Sequence, residues 1–380
     1  MAETIYDVAI IGSGPAGYTA AIRGAEYGLK VALIEKTNVL GGTCLHVGCI
    51  PTKALLFNAE IWDHLKNAAE FGIEGIGTPV LNWAAVLKRK NDIIVKHTKG
   101  LGFLMKKHRI TTIEGYGRLT GPAVDGVHTV EVTATGGAGA QVKAKNMILA
   151  TGSAAKLLPG LKADDRVLTN IEILAIEQVP KSLVVIGAGA VGVEFASIFR
   201  SFGTEVTILE FLPRAVPVED EEISKELTRL FKKRGIDVNT GAKVEKVEKT
   251  KDGVKVTYTD ANGKTQTKEA EKALVAVGRS PLTDNVGVEK TKIELERGFV
   301  KVNEAQETAE PGVFAIGDIV AGLPQLAHVG AMSGMVAVAK IAGRAYRPVR
   351  RDRIPGCTYT EPQIGSAGLT EAQARKRASR

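Results

Sequence analysis

The sequence predicts an α/β protein built on two parallel, doubly wound sheets, one inserted in the other. Three observations carry this reading. A strand, glycine turn, helix and strand occur in the same order twice. Each copy ends in a carboxylate at the same spacing. Glycine is abundant, at 42 of 380 residues, while aromatics make up only 5%, a balance that suits tight turns and close backbone approaches.

The first copy runs from an apolar strand at residues 6–11 through Gly12, Ser13, Gly14, Pro15, Ala16 and Gly17. An Ala-rich helix follows to Tyr27, and a second strand at residues 30–35 ends in Glu35. The second copy has a strand at 182–186, then Gly187, Ala188, Gly189, Ala190, Val191 and Gly192. A helix continues through Phe202, and a strand at 204–210 ends in Glu210. Each acid stands 18 residues after the third glycine, as in the βαβ dinucleotide fingerprint. The first glycine makes the turn, the second lets backbone approach a pyrophosphate, and the third lets helix pack on strand. The phosphates sit at the helix N-terminus, where unpaired N–H groups and the dipole favour anions. One such motif is weak evidence; two matched copies predict two Rossmann-like domains and two bound dinucleotides. Glu210 would repel a 2′-phosphate, and Phe211, Leu212 and Pro213 supply no cation, although Arg214 is close.

The rest of the chain fits around these units. Residues 61–107 read as helices with Trp62, Leu65, Ile93, Ile94 and Val95 as core positions. Residues 111–150 alternate like antiparallel strands, as do residues 238–277 through Val244, Val247, Val254, Val256 and Tyr258. The first dinucleotide domain is therefore expected at 1–152, interrupted by the second at 153–281. It resumes at 282–348, where a strand near 313–316 leads into Gly317 and Asp318.

The net charge of +8 is uneven: residues 343–380 hold nine basic and three acidic residues, a net +6. This basic segment lacks interleaved aromatics or a reader motif, so solvated charge is expected rather than a nucleic-acid surface. No apolar run reaches the roughly 18–20 residues that span a bilayer, and residues 5–11 are too short for a secretory signal. Three cysteines, Cys44, Cys49 and Cys357, are too few to staple the chain, so a cytoplasmic protein is expected.

Cys44 and Cys49 lie in the stretch GGTCLHVGCIPTKALL at residues 41–56. Five residues apart on a regular helix is too far for a disulfide, but Gly41, Gly42 and Gly48 allow irregular backbone. Pro51 suits a helix's first turn, where a thiolate is stabilised. The pair reads as linked cysteines, as two free thiols or as half a zinc site. The six histidines give no zinc spacing, so no metal is expected. His46 is expected to face solvent in a loop, and Cys357 to be buried packing.

These motifs, with Glu210 through Arg214, residues 315–318 (AIGD) and residues 326–328 (LAH), resemble the pyridine nucleotide–disulfide oxidoreductases. The likeness covers essentially the whole chain. It is strongest to members that reoxidise protein-bound dihydrolipoamide for 2-oxoacid dehydrogenase complexes. The resemblance implies two domains of the glutathione-reductase (GR) FAD/NAD(P)-binding type. FAD would lie on Gly12, Gly14, Gly17 and Glu35, with Asp318 at its ribitol and pyrophosphate, and NAD on Gly187, Gly189, Gly192 and Glu210. Gly42, Thr43, Lys53, Thr151, Gly152, Gly278, Gly317, Leu326, Ala327 and His328 join the cofactor-binding set. Cys44 and Cys49 would form the redox-active disulfide, with Cys49 flavin-proximal. Lys53 and Glu194 would pair near the flavin, and the helix starting near His328 would face its pyrimidine ring.

The implied partners are lipoyl domains, the core acyltransferase of a 2-oxoacid complex and a second copy of the chain. The family carries a C-terminal interface domain whose His–Glu pair serves the partner subunit. Residues 349–380 read as the truncated start of that α+β dimerisation domain, and no histidine follows His328. A sister disulfide or mercuric reductase, or a flavin-binding protein with diaphorase activity only, are the alternatives.

Overall fold

The computed structural model describes residues 4–134, 137 and 139–378; residues 1–3, 135, 136, 138, 379 and 380 of the expected domains lie outside these. The chain forms two compact units. The first comprises Met1–His46, Ile94–Ala154 and Ser280–Arg351; the second comprises Val47–Ile93, Ala155–Arg279 and Asp352–Arg380.

In the first unit the strand Ile5–Ile11 pairs in parallel with Val31–Glu35 on one side and Gly139–Leu149 on the other. Val31–Glu35 pairs in parallel with Thr111–Glu114, and Gly139–Leu149 with Val313–Ala315. His128–Thr133 and Tyr116–Leu119 add antiparallel strands at the far side. The run 111–150 is therefore not a purely antiparallel meander: its first strand joins the parallel sheet, and its last strand bridges both kinds of pairing. Ile10, Leu33 and Ile148 are fully buried, as expected of parallel strands covered on both faces.

The helix Pro15–Glu26 packs against Ala327–Ile341 through small residues. A Cβ on Gly334 would lie 2.7 Å from the Ala16 carbonyl oxygen, and one on Gly330 would lie 3.2 Å from the Ala16 methyl. Glycine at these two positions lets the helix backbones approach closely.

In the second unit five strands run parallel in the order Ile236–Thr240, Glu205–Glu210, Ser182–Ile186, Lys272–Val275 and Val167–Leu168. A separate antiparallel sheet contains Lys243–Lys249, Val254–Thr259 and Thr265–Ala270. The stretch 238–277 thus divides between two sheets. The helix Cys49–Lys66 packs on Ala190–Ser201. Leu55, Ala59, Trp83, Val86, Phe195 and Phe199 form the core there, with Trp83 edge-on to Phe202 at 5.4 Å. The expected core positions Leu65 and Val95 are instead exposed and Ile93 and Ile94 only half-buried, while Trp62 is half-buried and packs against the core as expected. The helices turn Leu55, Ala59, Val86 and Leu101 inward in their place.

His128 is 1% exposed. Burial pushes its pKa below 6.5, opposed by a hydrogen bond to the Pro311 carbonyl and by the Glu310 charge. The unfolded chain binds this proton from about pH 6.5 downward, whereas the fold holds the ring neutral. Stability should therefore be lost progressively as pH falls below about 6.5 toward the lowered folded value. Urea midpoints of the wild type should drop more between pH 7 and pH 5 than those of His128→Gln. Equal slopes would assign the acid sensitivity to other groups.

Candidate redox and dinucleotide sites

Both glycine turns are built alike. A Cβ on Gly12 would stand 2.2 Å from the Ala150 carbonyl oxygen, and one on Gly187 would stand 2.5 Å from that of Ala276. A Cβ on Gly17 would stand 1.9 Å from the Gly12 oxygen, and one on Gly192 would stand 2.0 Å from the Gly187 oxygen. Gly14 and Gly189 meet nothing within 4 Å. These two middle glycines are the N-caps of 12-residue helices and carry no capping side chain. Each turn therefore presents open space to main-chain N–H groups at a helix N-terminus, the surface a pyrophosphate needs.

The two acids repeat the symmetry. Glu35 accepts from the Ser13 N–H at 2.9 Å and the Thr37 N–H at 3.1 Å. Glu210 accepts from the Ala188 N–H at 2.6 Å and the Leu212 N–H at 2.7 Å. At Glu35 the Ser13 and Thr37 hydroxyls also donate, at 2.7 and 3.2 Å, one to each carboxylate oxygen. Two hydroxyls on one carboxylate is the chemistry of a ribose diol; with the two N–H groups they fill the about four acceptor sites of Glu35, so a diol would take the place of the Ser13 and Thr37 hydroxyls. Arg214, the cation nearest in sequence to Glu210, donates to the Pro217 carbonyl at 2.9 Å and adds its charge beside Asp220 and Glu221.

The other expected residues have the following surroundings. Gly42 has φ +60°, and a Cβ there would meet Gly14 Cα at 2.7 Å. Gly317 lies beside Ala16. Asp318 accepts from the Ser153 hydroxyl at 2.5 Å, and the Thr151 hydroxyl donates to the Leu282 carbonyl at 2.5 Å. The Gly152 carbonyl accepts from the Leu282 N–H at 2.9 Å. Leu326 caps the helix Ala327–Ile341, placing Ala327 and His328 in its first turn. Thr43 is half-buried in the helix Gly42–Val47. In the second unit Gly278 accepts from the Lys156 N–H at 2.9 Å.

Cys44 and Cys49 are disulfide-bonded. A break at Gly48 (φ −148°, ψ −117°) separates the helices Gly42–Val47 and Cys49–Lys66, so the two cysteines do not share one regular helix. Cys49 opens an 18-residue helix, where N–H groups favour a thiolate. Lys53 follows one turn later on the same face. Its Nζ lies 2.7 Å from Glu194 Oε2 and 2.9 Å from Oε1. Glu194 is 4% exposed and also accepts from the Tyr359 N–H at 2.9 Å. A buried carboxylate is stable only when its lone pairs are so engaged. The alternatives of two free thiols or half a zinc site end with the disulfide.

A family model described as pyridine nucleotide-disulphide oxidoreductase matches residues 6–334. The chain belongs to this family. It is 43% identical over 378 residues to a dihydrolipoyl dehydrogenase from Bacillus subtilis (strain 168), covering 98% of this chain and 79% of the relative. It is 40% identical over 374 residues to a mitochondrial dihydrolipoyl dehydrogenase from Pisum sativum, covering 97% and 73%. The crystal structure of LpdA from Mycobacterium tuberculosis matches with a TM-score of 0.90 at 27% identity, covering 98% of this chain and 80% of that one. The α/β fold with its two repeated turns is thus the family's own, and the protein is an oxidoreductase.

Three sequence expectations need correction or addition. Cys357 is exposed, because the strand Pro355–Thr358 turns Thr358 inward and Cys357 outward. His46 is a half-buried helix residue, not a loop residue, and its Nε2 donates to the Leu40 carbonyl at 2.9 Å. Tyr359 carried no assignment, yet it touches both members of the Lys53–Glu194 pair. Its signal was the stretch 355–362, which is rich in β-formers and prolines but has no spacing that points to Glu194.

Proposed function

We propose that this pyridine nucleotide–disulphide oxidoreductase oxidises protein-bound dihydrolipoamide to lipoamide and reduces NAD+ to NADH. The Cys44–Cys49 disulfide carries this reading. A thiolate of the dithiol attacks Cys44, and Cys49 leaves as a thiolate. The second substrate thiol then attacks the mixed disulfide, so the substrate leaves oxidised and both enzyme cysteines are reduced. The first turn of the Cys49–Lys66 helix stabilises the Cys49 thiolate. FAD bound at the first glycine turn would supply the two-electron relay between dithiol and nicotinamide. Gly12, Gly14, Gly17, Glu35 and Asp318 fit that group by the open phosphate space and by a carboxylate that accepts from two hydroxyls, which a ribose diol would replace. Gly187, Gly189, Gly192 and Glu210 fit NAD+ as substrate on the same grounds. Lys53 and Glu194 hold a fixed charge pair one turn from Cys49.

The partners we assign are lipoyl domains and the core acyltransferase of a 2-oxoacid complex, with a second copy of the chain as the dimer partner. Among the described residues no helix is long and apolar enough to cross a membrane, and with three cysteines we place the protein in the cytoplasm. Purified with FAD, the chain should form NADH from dihydrolipoamide and NAD+. Glu210 is 7% exposed, and like charges about 4 Å apart cost roughly 4 kcal/mol at an effective dielectric of 20. NADP+ should therefore show a kcat/KM at least about 100-fold lower. Equal use of NADP+ would overturn the role of Glu210, and no dithiol-dependent NADH under any condition would overturn the function.

A further inference from the structure

Beyond the Lys53–Glu194 pair itself, the second unit contains a third participant. The Tyr359 N–H donates to Glu194 Oε1 at 2.9 Å. The Lys53 ammonium sits 4.8 Å from the centroid of the Tyr359 ring. One residue, 165 positions from Glu194 in sequence, thus holds the carboxylate with its main chain and the ammonium with its π face.

We propose that Tyr359 is a positioning residue that fixes the Lys53–Glu194 pair, with its ring as the working part. The proposal rests on the dithiol oxidation set out above only where turnover is read.

The physical argument starts from what holds the lysine. The Lys53 side chain is 37% exposed while that of Glu194 is 6% exposed. The carboxylate is locked by its surroundings; the ammonium is a flexible, strongly hydrated charge on a four-carbon stem. A salt bridge at such a half-open site competes with water and with side-chain entropy. An aromatic face 4.8 Å from the ammonium reduces that freedom, because the ring quadrupole attracts the cation. Glu194 and Tyr359 then approach the ammonium together and leave one favoured position for Nζ.

The phenol suits this task because it stays neutral. Repulsion from a Cys357 thiolate would raise the hydroxyl's pKa, and burial and the Glu194 charge act in the same direction. The ring faces Lys53 whatever the hydroxyl does. Positioning requires only the ring, so phenylalanine should serve and leucine should not. Both substitutions spare the main-chain N–H to Glu194. Tyr359 is 39% exposed, so neither change opens a core cavity.

The test uses the full chain loaded with FAD, and two variants, Tyr359→Phe and Tyr359→Leu. Lys53 acetylation by sulfo-NHS-acetate is followed by peptide mass spectrometry, with exposed Lys88 as the internal standard. In Tyr359→Leu, Lys53 should react about five-fold faster than in wild type, while Tyr359→Phe stays within about two-fold. The kcat for NAD-linked dihydrolipoamide oxidation should fall about five-fold in Tyr359→Leu and recover in Tyr359→Phe, with KM for NAD+ within about two-fold of wild type. Unchanged labelling in Tyr359→Leu overturns the proposal, as does equal damage in Tyr359→Phe or an unchanged kcat. A wild type that oxidises no dithiol overturns the proposed function instead, and the labelling then still decides whether Tyr359 holds the pair.

Discussion

Cys44→Ser should abolish NAD-linked dihydrolipoamide oxidation, by about 10⁴-fold or more, the scale of losing a covalent catalytic group. A serine hydroxyl cannot form the disulfide found between Cys44 and Cys49, so the substrate thiolate has no sulfur to attack and no thiolate to expel. The rest of the machinery should survive. The turns at Gly12–Gly14–Gly17 and Gly187–Gly189–Gly192 lie elsewhere in the sequence, and their geometry rests on backbone contacts of their own. NADH oxidation by an artificial one-electron acceptor should therefore stay within about three-fold of wild type, since it needs the two dinucleotide sites but no thiol exchange. Stopped assays with dihydrolipoamide and ferricyanide on the same preparation separate the two activities. Dithiol turnover at the wild-type rate in Cys44→Ser would end the disulfide mechanism. Loss of both activities together would mean that the cysteine pair also holds the flavin site in shape.

The parts legible in the sequence are those whose physics is local. A glycine turn, a helix N-terminus and an acid 18 residues on are fixed by steric and hydrogen-bonding needs within one βαβ unit, and the two copies repeat the same backbone contacts in the structure. The same holds for Gly48, whose irregular backbone the cysteine spacing required. Packing choices were less legible. Leu65 and Val95 sit in helices with apolar residues on more than one face, and periodicity alone does not say which face turns inward. Residue type alone places Cys357 in the core, whereas the two-residue period of its strand puts it outside. Strands 111–114 and 236–240 were grouped with their antiparallel neighbours because parallel and antiparallel strands share the same composition when short. Lys53 and Glu194 stand 141 residues apart and were paired only through the family resemblance. Tyr359 had no such guide: its ring contact and its N–H bond are products of tertiary placement.

The second and third glycines of the first turn should fail in different ways when replaced by alanine, and this contrast tests the flavin assignment most directly. On Gly17 a methyl would stand 1.9 Å from the Gly12 carbonyl oxygen and 3.0 Å from its carbon. Both are backbone atoms, so relief requires the turn to open and the helix Pro15–Glu26 to move off the strand. Overpacking of this kind costs about 1–3 kcal/mol or more, and the Ser13 N–H that holds Glu35 lies within the displaced segment. Gly17→Ala should lose flavin and thermal stability together. Gly14 differs: its φ of −64° and ψ of −179° are open to alanine, and a methyl there meets no protein atom within 4 Å. Gly14→Ala should fold with a melting temperature of the apo chain within about 2 °C of wild type. Its methyl would, however, occupy the space left for a pyrophosphate at the helix N-terminus, and flavin affinity should fall by about 100-fold or more. Absorbance near 450 nm and apo-chain melting curves, taken on both variants, read the two effects separately. Gly14→Ala purifying with a full complement of flavin would move the pyrophosphate away from this turn and with it the flavin-binding role of Glu35.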